Sequence, residues 1–264
     1  MKRTFTRGLR AACVAVALAC VAPTGATSFS TNYSDLWWNP DESGWGVNIT
    51  QQADVMFATL FVYGAQGQPI WYSTTLYYTG ENVNGSRSWS GDLYETSGPY
   101  FGGPFNPALV TAKKVGVATF ASNANDKAVF QYIVGTAVVI KNIERQTLVN
   151  NNLAGSYVGG TSDVTTNCAN AANNGFVSND FGAFTITHTG STVTIVAPTC
   201  TFVGNYLQTG QTGIMQANYA CSNGAAGTMT LFDLRVEQSG MLGKYSGTGS
   251  GCQFNGHIGG LRRP

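Results

Sequence analysis

The feature that most restricts the fold of this chain is its rhythm. From residue 46 onward, apolar residues either alternate with polar ones or run in blocks of four to nine, and glycine-containing turns recur about every ten residues. A period of two sends successive side chains to opposite faces of an extended strand. Strands at that spacing, punctuated by turns, build an all-β sandwich or barrel. No stretch carries a convincing helical period. Strands are expected at 55–63, 69–78, 86–94, 110–122, 127–135 and 137–145, with 97–107 as a loop rich in proline and glycine. A second series is expected at 181–188, 192–197, 201–208, 213–221, 227–236, 241–246 and 253–261, mostly joined by tight turns such as HTGST and QTGQT. The asparagine- and threonine-rich stretch 161–179 reads as a long loop tied down by Cys168.

Composition changes abruptly at LVNNNL, residues 148–153. All five tryptophans precede it, within residues 37–89, and the four cysteines outside the leader follow it. This places a boundary near Asn151. The expected organisation is a signal segment at 1–26, a tryptophan-rich β-domain at 27–150 and a cysteine-containing β-domain at 151–264. The fold class is then two consecutive antiparallel meander barrels or sandwiches, the second one disulfide-bonded. The halves end alike, in IKNIERQ and HIGGLRR, which hints at a loose internal duplication.

The first ten residues carry Lys2, Arg3, Arg7 and Arg10 and no acid, and an apolar run of twelve follows, Ala11 to Ala22. This is the pattern of a secretory signal, too short to span a bilayer, with cleavage after Ala26. Lipidation at Cys20 within VALAC is the rival reading. No later apolar run has the length of a membrane-spanning helix. The expected location is periplasmic or extracellular. Without the leader, 10 basic residues face 13 acidic ones, a formal charge of −3. Such a chain lacks the basic footprint that nucleic acid requires.

With Cys13 and Cys20 in the leader, Cys168, Cys200, Cys221 and Cys252 remain. An even number in an exported chain reads as two disulfides, and no pair has the close spacing of zinc ligands. A hairpin of 201–208 with 213–221 has its centre between Gly210 and Gln211, so Cys200 and Cys221 fall opposite each other. Strand direction puts Cys168 and Cys252 at the same end. The expected pairs are Cys200–Cys221 and Cys168–Cys252, against the rival Cys168–Cys200 with Cys221–Cys252.

The first half opens on LWWNPDESGWG, residues 36–46, which holds three tryptophans, two acids and two glycines. Adjacent Trp37 and Trp38 point to opposite faces of an extended chain. Asn39-Pro40 starts a turn, and Trp45, Val47 and Ile49 alternate as a half-buried strand. Three readings compete: an aromatic plug closing a barrel end, a ligand platform in which tryptophan faces and carboxylates receive a sugar, and a catalytic acid pair. Neighbouring Asp41 and Glu42 fit glycoside hydrolysis poorly, because that reaction needs two carboxylates facing each other across a bond. The candidate ligand-binding residues are Trp37, Trp38, Asp41, Glu42, Trp45 and Trp71, and no catalytic residue is assigned.

No GxSxG elbow, HExxH helix, P-loop or dinucleotide fingerprint occurs, and the two histidines, His188 and His257, stand alone in strands. No cofactor or metal is expected. The stretch LWWNPDESGWG, with ITQQADVMFATLFVYGAQGQPIWY after it and VGVATF and IERQ further on, resembles a β-rich unit of exported proteobacterial proteins, mostly uncharacterised. The resemblance implies an accessory or binding role and transfers no catalytic residue. The expected function is a non-catalytic binding protein whose partner is a glycan, an envelope component or a protein. The alternatives are an extracellular hydrolase using Glu42 or Asp41, and a purely structural envelope protein.

Overall fold

The structure, a computed structural model, describes residues 31–124 and 126–263. The expected signal segment, with Cys13 and Cys20, lies outside the described residues. The chain forms two closed eight-stranded antiparallel barrels in succession. The first comprises β1 (Asp35–Trp38), β2 (Gly46–Gln52), β3 (Val55–Tyr63), β4 (Pro69–Glu81), β5 (Arg87–Ser97), β6 (Thr111–Ser122), β7 (Lys127–Val134) and β8 (Ala137–Arg145). The second comprises β9 (Gly155–Thr166), β10 (Val177–Thr189), β11 (Thr192–Val196), β12 (Cys200–Thr209), β13 (Thr212–Cys221), β14 (Ala226–Val236), β15 (Gly240–Gly249) and β16 (Cys252–Arg262). Within each barrel every strand pairs with its neighbours in sequence, and β1–β8 and β9–β16 close the two rings. Closure removes the free sheet edges that would otherwise pair with other chains. Helical structure among the described residues is confined to three-residue 3-10 turns.

Period-two alternation decides what lies inside. Val47 and Ile49, Met56, Ala58 and Leu60, Tyr72 and Leu76, Trp89 and Leu93, Phe120, Phe130 and Ile143 fill the first barrel, with Tyr33 and Trp37 among them. Tyr33, Trp37, Trp89 and Phe120 meet edge-on or tilted, with centroids 5.3–6.4 Å apart. Such pairs add to simple area burial. The second barrel is filled separately, around Leu153, Tyr157, Val193, Met215, Leu231 and Leu234.

One expectation changes. The supposed loop 161–179 is mostly strand: β9 runs through Thr166, β10 starts at Val177, and only 167–176 is irregular. β9 reads GSYVGGTSDVTT, and its inward positions beyond Tyr157 are Gly159, Thr161 and Asp163, so no apolar alternation marks it. β1 has four residues, too few to show a period. Both expected disulfides form, Cys200–Cys221 across the hairpin and Cys168–Cys252 where strand direction and closure bring the two together. Cys200 and Cys221 are direct register partners, and Cys168 joins Cys252 at the head of the last strand.

The two barrels close with one device. In the first, Arg145 is the register partner of Trp37, and its guanidinium lies 4.9 Å from the indole centroid. It donates to the carbonyls of Asn32 (2.6 Å) and Ser34 (3.3 Å), while Trp37 Nε1 donates to Tyr33 O at 3.0 Å. In the second, Arg262 is the register partner of Tyr157, 5.3 Å from its ring. It donates to the carbonyls of Asn152 (3.2 Å) and Ala154 (3.1 Å), while Tyr157 OH donates to Leu153 O at 2.7 Å. Position by position, an arginine on the last strand ties the lead-in of the first strand across an aromatic ring. The shared arginine near each close, Arg145 in IERQ and Arg262 in GLRR, is this clasp.

The barrels also touch. Asp35, absent from the second clasp where Gly155 takes its place, accepts from Arg145 Nη1 at 3.1 Å and from the backbone N of Gln211 at 2.9 Å. Gly210 N donates to Thr147 Oγ1, so the β12–β13 turn seats on the closed end of the first barrel. The connection 146–154 is pinned there by Gln208, which accepts from Asn151 N at 2.6 Å and donates to Val149 O at 2.8 Å.

Candidate functional site

The motif folds as the rim of the first barrel. β1 carries Trp37 into the core, where it is 0 % exposed. Trp37 therefore does not touch an external ligand, contrary to expectation: its inward position on β1 and its bond to Tyr33 make it core. Trp38, on the opposite face, stays half-buried. Asn39 caps the 3-10 turn Pro40–Glu42 by accepting from Asp41 N at 2.9 Å. Asp41 is exposed and forms part of the wall of a shallow surface groove of about 530 Å³ with Lys127 and Glu144.

Glu42 and Trp45 belong to one small cluster. Glu42 Oε2 accepts from Trp45 Nε1 at 3.0 Å and from Lys141 Nζ at 2.6 Å, and that ammonium lies 5.6 Å from the Trp45 ring centroid. The hydrogen bond from Lys141 holds the Glu42 carboxyl below its ordinary range. A general acid at neutral pH needs the opposite shift. The chemistry of this cluster is that of a brace between the turn and β8. Trp45 itself is partly buried against the core. Gly44 adopts φ +119°, a conformation that L side chains rarely take, and its carbonyl accepts from Tyr63 OH at 2.9 Å. At Gly46 a Cβ would come within 3.1 Å of the Trp37 carbonyl, so the strand can pass there only as glycine without displacing its neighbour.

Trp71 stands apart from the motif. It points outward from β4, 51 % exposed, and its register partner on β3 is Phe61, 46 % exposed. The next row inward along the hairpin is Asn48, Thr59, Ser73 and Tyr94, all register neighbours. Tyr63, one step toward the rim, is exposed and reaches the motif through Gly44. The six expected residues thus divide into a core residue (Trp37), rim positions (Trp38, Asp41, Glu42, Trp45) of which Glu42 and Trp45 are hydrogen-bonded to each other, and an outer aromatic face (Trp71). Phe61 and Tyr63 are additions to the expected set, although VMFATLFVY is apolar on both faces. In a single closed layer filled from within, one face of such a strand has to look outward.

No family model matches the chain, and neither the curated proteins nor the solved structures include a match to it.

Proposed function

We propose that the protein is an exported, non-catalytic binding protein whose first barrel offers the outer face of the β3–β4 hairpin to a glycan. One observation carries the reading: Phe61 and Trp71 sit side by side across the strands, each about half exposed, above a row of amide and hydroxyl side chains. Aromatic faces cover the C–H face of a sugar ring, and Asn48, Thr59 and Ser73 supply donors and acceptors for its hydroxyls. The two disulfides fit a non-cytoplasmic location. The motif LWWNPDESGWG supports this face from behind, holding Tyr63 at the rim.

The test is affinity electrophoresis of the mature protein in gels carrying soluble polysaccharides or peptidoglycan fragments. At least one glycan is expected to retard the wild type, and Trp71→Ala or Phe61→Ala to abolish the retardation with thermal stability within a few degrees of wild type. Equal retardation of wild type and both variants, or none across the panel, refutes the reading.

A further inference from the structure

The two barrels differ in what their walls leave at the centre. In the first, indoles and phenyl rings fill the axis. In the second, the half distant from the first barrel encloses a cavity of about 370 Å³, at the small end of the range that buries organic ligands. Its wall is built from rings laid over inward glycines. A Cβ on Gly247 would meet Phe254 at 2.5 Å, one on Gly260 would meet Phe184 at 2.7 Å, and one on Gly256 would meet the Tyr245 ring at 2.8 Å. The rings lie back against the sheet because those positions have no side chain, and the space they vacate is the cavity. Phe202, Tyr219 and the exposed Phe181 complete the aromatic lining.

The charge of this cavity has one sign. Asp163 on β9 and Asp180 on β10 line it, and no lysine, arginine or histidine does. Neither aspartate pairs with a basic side chain among the described residues. Asp163 Oδ1 accepts from Tyr245 OH at 2.8 Å, and burial together with this bond pushes the tyrosine well above its ordinary pKa, so the phenol stays protonated and donates. Two carboxylates beside six aromatic rings, with no lysine, arginine or histidine among the described lining residues, form a setting that attracts a cation and repels an anion.

We propose that the second barrel binds a small organic cation with an apolar body, a protonated amine or quaternary ammonium, whose charged head lies by Asp163 and Asp180 and whose body enters among Phe184, Phe202, Tyr219, Tyr245 and Phe254. This site is independent of the glycan face, being in the other barrel and of different chemistry. The charge excludes fatty acids and other anionic amphiphiles, and the ring faces select a weakly hydrated cation over an alkali metal ion.

The experiment is isothermal titration of the oxidised, full-length mature protein with three probes of equal chain length: hexyltrimethylammonium, hexan-1-ol and hexanoate. The cation is expected to bind on the order of tenfold or more tighter than the alcohol, with no measurable binding of hexanoate. Asp180→Asn, at the exposed end of the site, should weaken the cation several-fold and leave the alcohol unchanged. Asp163→Asn should do the same, and if that variant fails to fold, Asp180→Asn alone decides. Trp71→Ala should leave cation binding untouched, since the rival is adhesion to the exposed indole of the first barrel. Equal affinity for cation and alcohol, no binding of any probe, indifference to Asp180→Asn, or loss on Trp71→Ala each overturns the proposal.

Discussion

The first barrel's clasp holds a charge that the second lacks, and the difference gives a prediction of stated size. Arg145 and Asp35 have side chains 0 % and 2 % exposed. Replacing Arg145 by Met keeps much of the volume against Trp37 but strands the Asp35 carboxylate, with only the backbone N–H groups of Leu36 and Gln211 left to it. It also leaves the carbonyls of Asn32 and Ser34 without this donor. Breaking a buried pair from one side costs about 3–5 kcal/mol. At roughly 4 °C per kcal/mol for a barrel of this size, the first barrel should melt about 12–20 °C lower. Arg262→Met is the matched control. It loses the equivalent carbonyl bonds, to Asn152 and Ala154, but strands no anion, so a loss of about 1–3 kcal/mol is expected. Tryptophan fluorescence reads the first barrel alone, because all five tryptophans precede residue 90. Far-ultraviolet dichroism reads both barrels. Asp35→Leu combined with Arg145→Met should recover part of the loss, since a pair removed whole costs less than a pair halved. If Arg145→Met costs under about 1 kcal/mol, or no more than Arg262→Met, the buried carboxylate is not what makes this clasp different and the reasoning fails.

Other consequences can be measured on the same material. Gly210 has φ +62° and faces Asp35, so Gly210→Ala is strained and drives its Cβ into that carboxylate; the first barrel's melting, read by tryptophan fluorescence, should shift downward. Removing Cys168–Cys252, which closes a separation of 84 residues, should destabilise the second barrel by about 4.5 kcal/mol, against about 3 kcal/mol for Cys200–Cys221 at 21 residues. A reversed order in urea titrations would show that the size of the closed loop does not govern what each disulfide contributes. The lowered pKa of Glu42 means that its brace to Lys141 is fully formed above the ordinary carboxylate range and is lost as pH falls through the folded value. Wild type and Glu42→Gln should therefore differ in melting temperature at neutral pH and converge under acid conditions, and a gap that widens on acidification would contradict the assignment.

How much of the fold is legible in the sequence depends on whether a strand shows its period. Val55–Tyr63 and Ala137–Arg145 can be read to the residue, because each alternating or two-faced apolar run has a glycine turn at one end, at Gly64 and Gly135. β9 cannot, because a strand whose inward residues are glycine, threonine and aspartate looks like a loop. That concealment has a physical cause: β9 lines a cavity rather than a packed core, and an inward surface left open needs no large apolar side chains. The same strand hides the second site, while the tryptophan motif stands out in the sequence. The motif's density of indoles is a true signal of burial for Trp37 and a poor one of recognition. The tryptophan exposed enough to offer a ring face is Trp71, on a different strand. The disulfides are readable because a hairpin centre fixes register, and register fixes which cysteines meet.

The clasp and the cavity together explain why one plan yields two different barrels. Closure by an arginine over an aromatic ring fixes strand order and the path of the lead-in, and it leaves the interior unspecified. In the first barrel large side chains at inward positions, among them Trp37, Trp89 and Phe120, consume the axis, so any recognition must take place outside, where β3 and β4 carry aromatic residues that a one-layer wall cannot hide. In the second, glycines under the rings move aromatic surface from the axis to the wall and open the interior instead. An inward glycine in this fold is thus a volume decision as much as a backbone one. A larger side chain at Gly247 meets both the Thr228 carbonyl and the Phe254 ring, so it must displace Phe254 into the cavity or strain the strand, and in both cases cation binding should fail before the clasp at Tyr157 and Arg262, on the far strands of the barrel's closure, gives way.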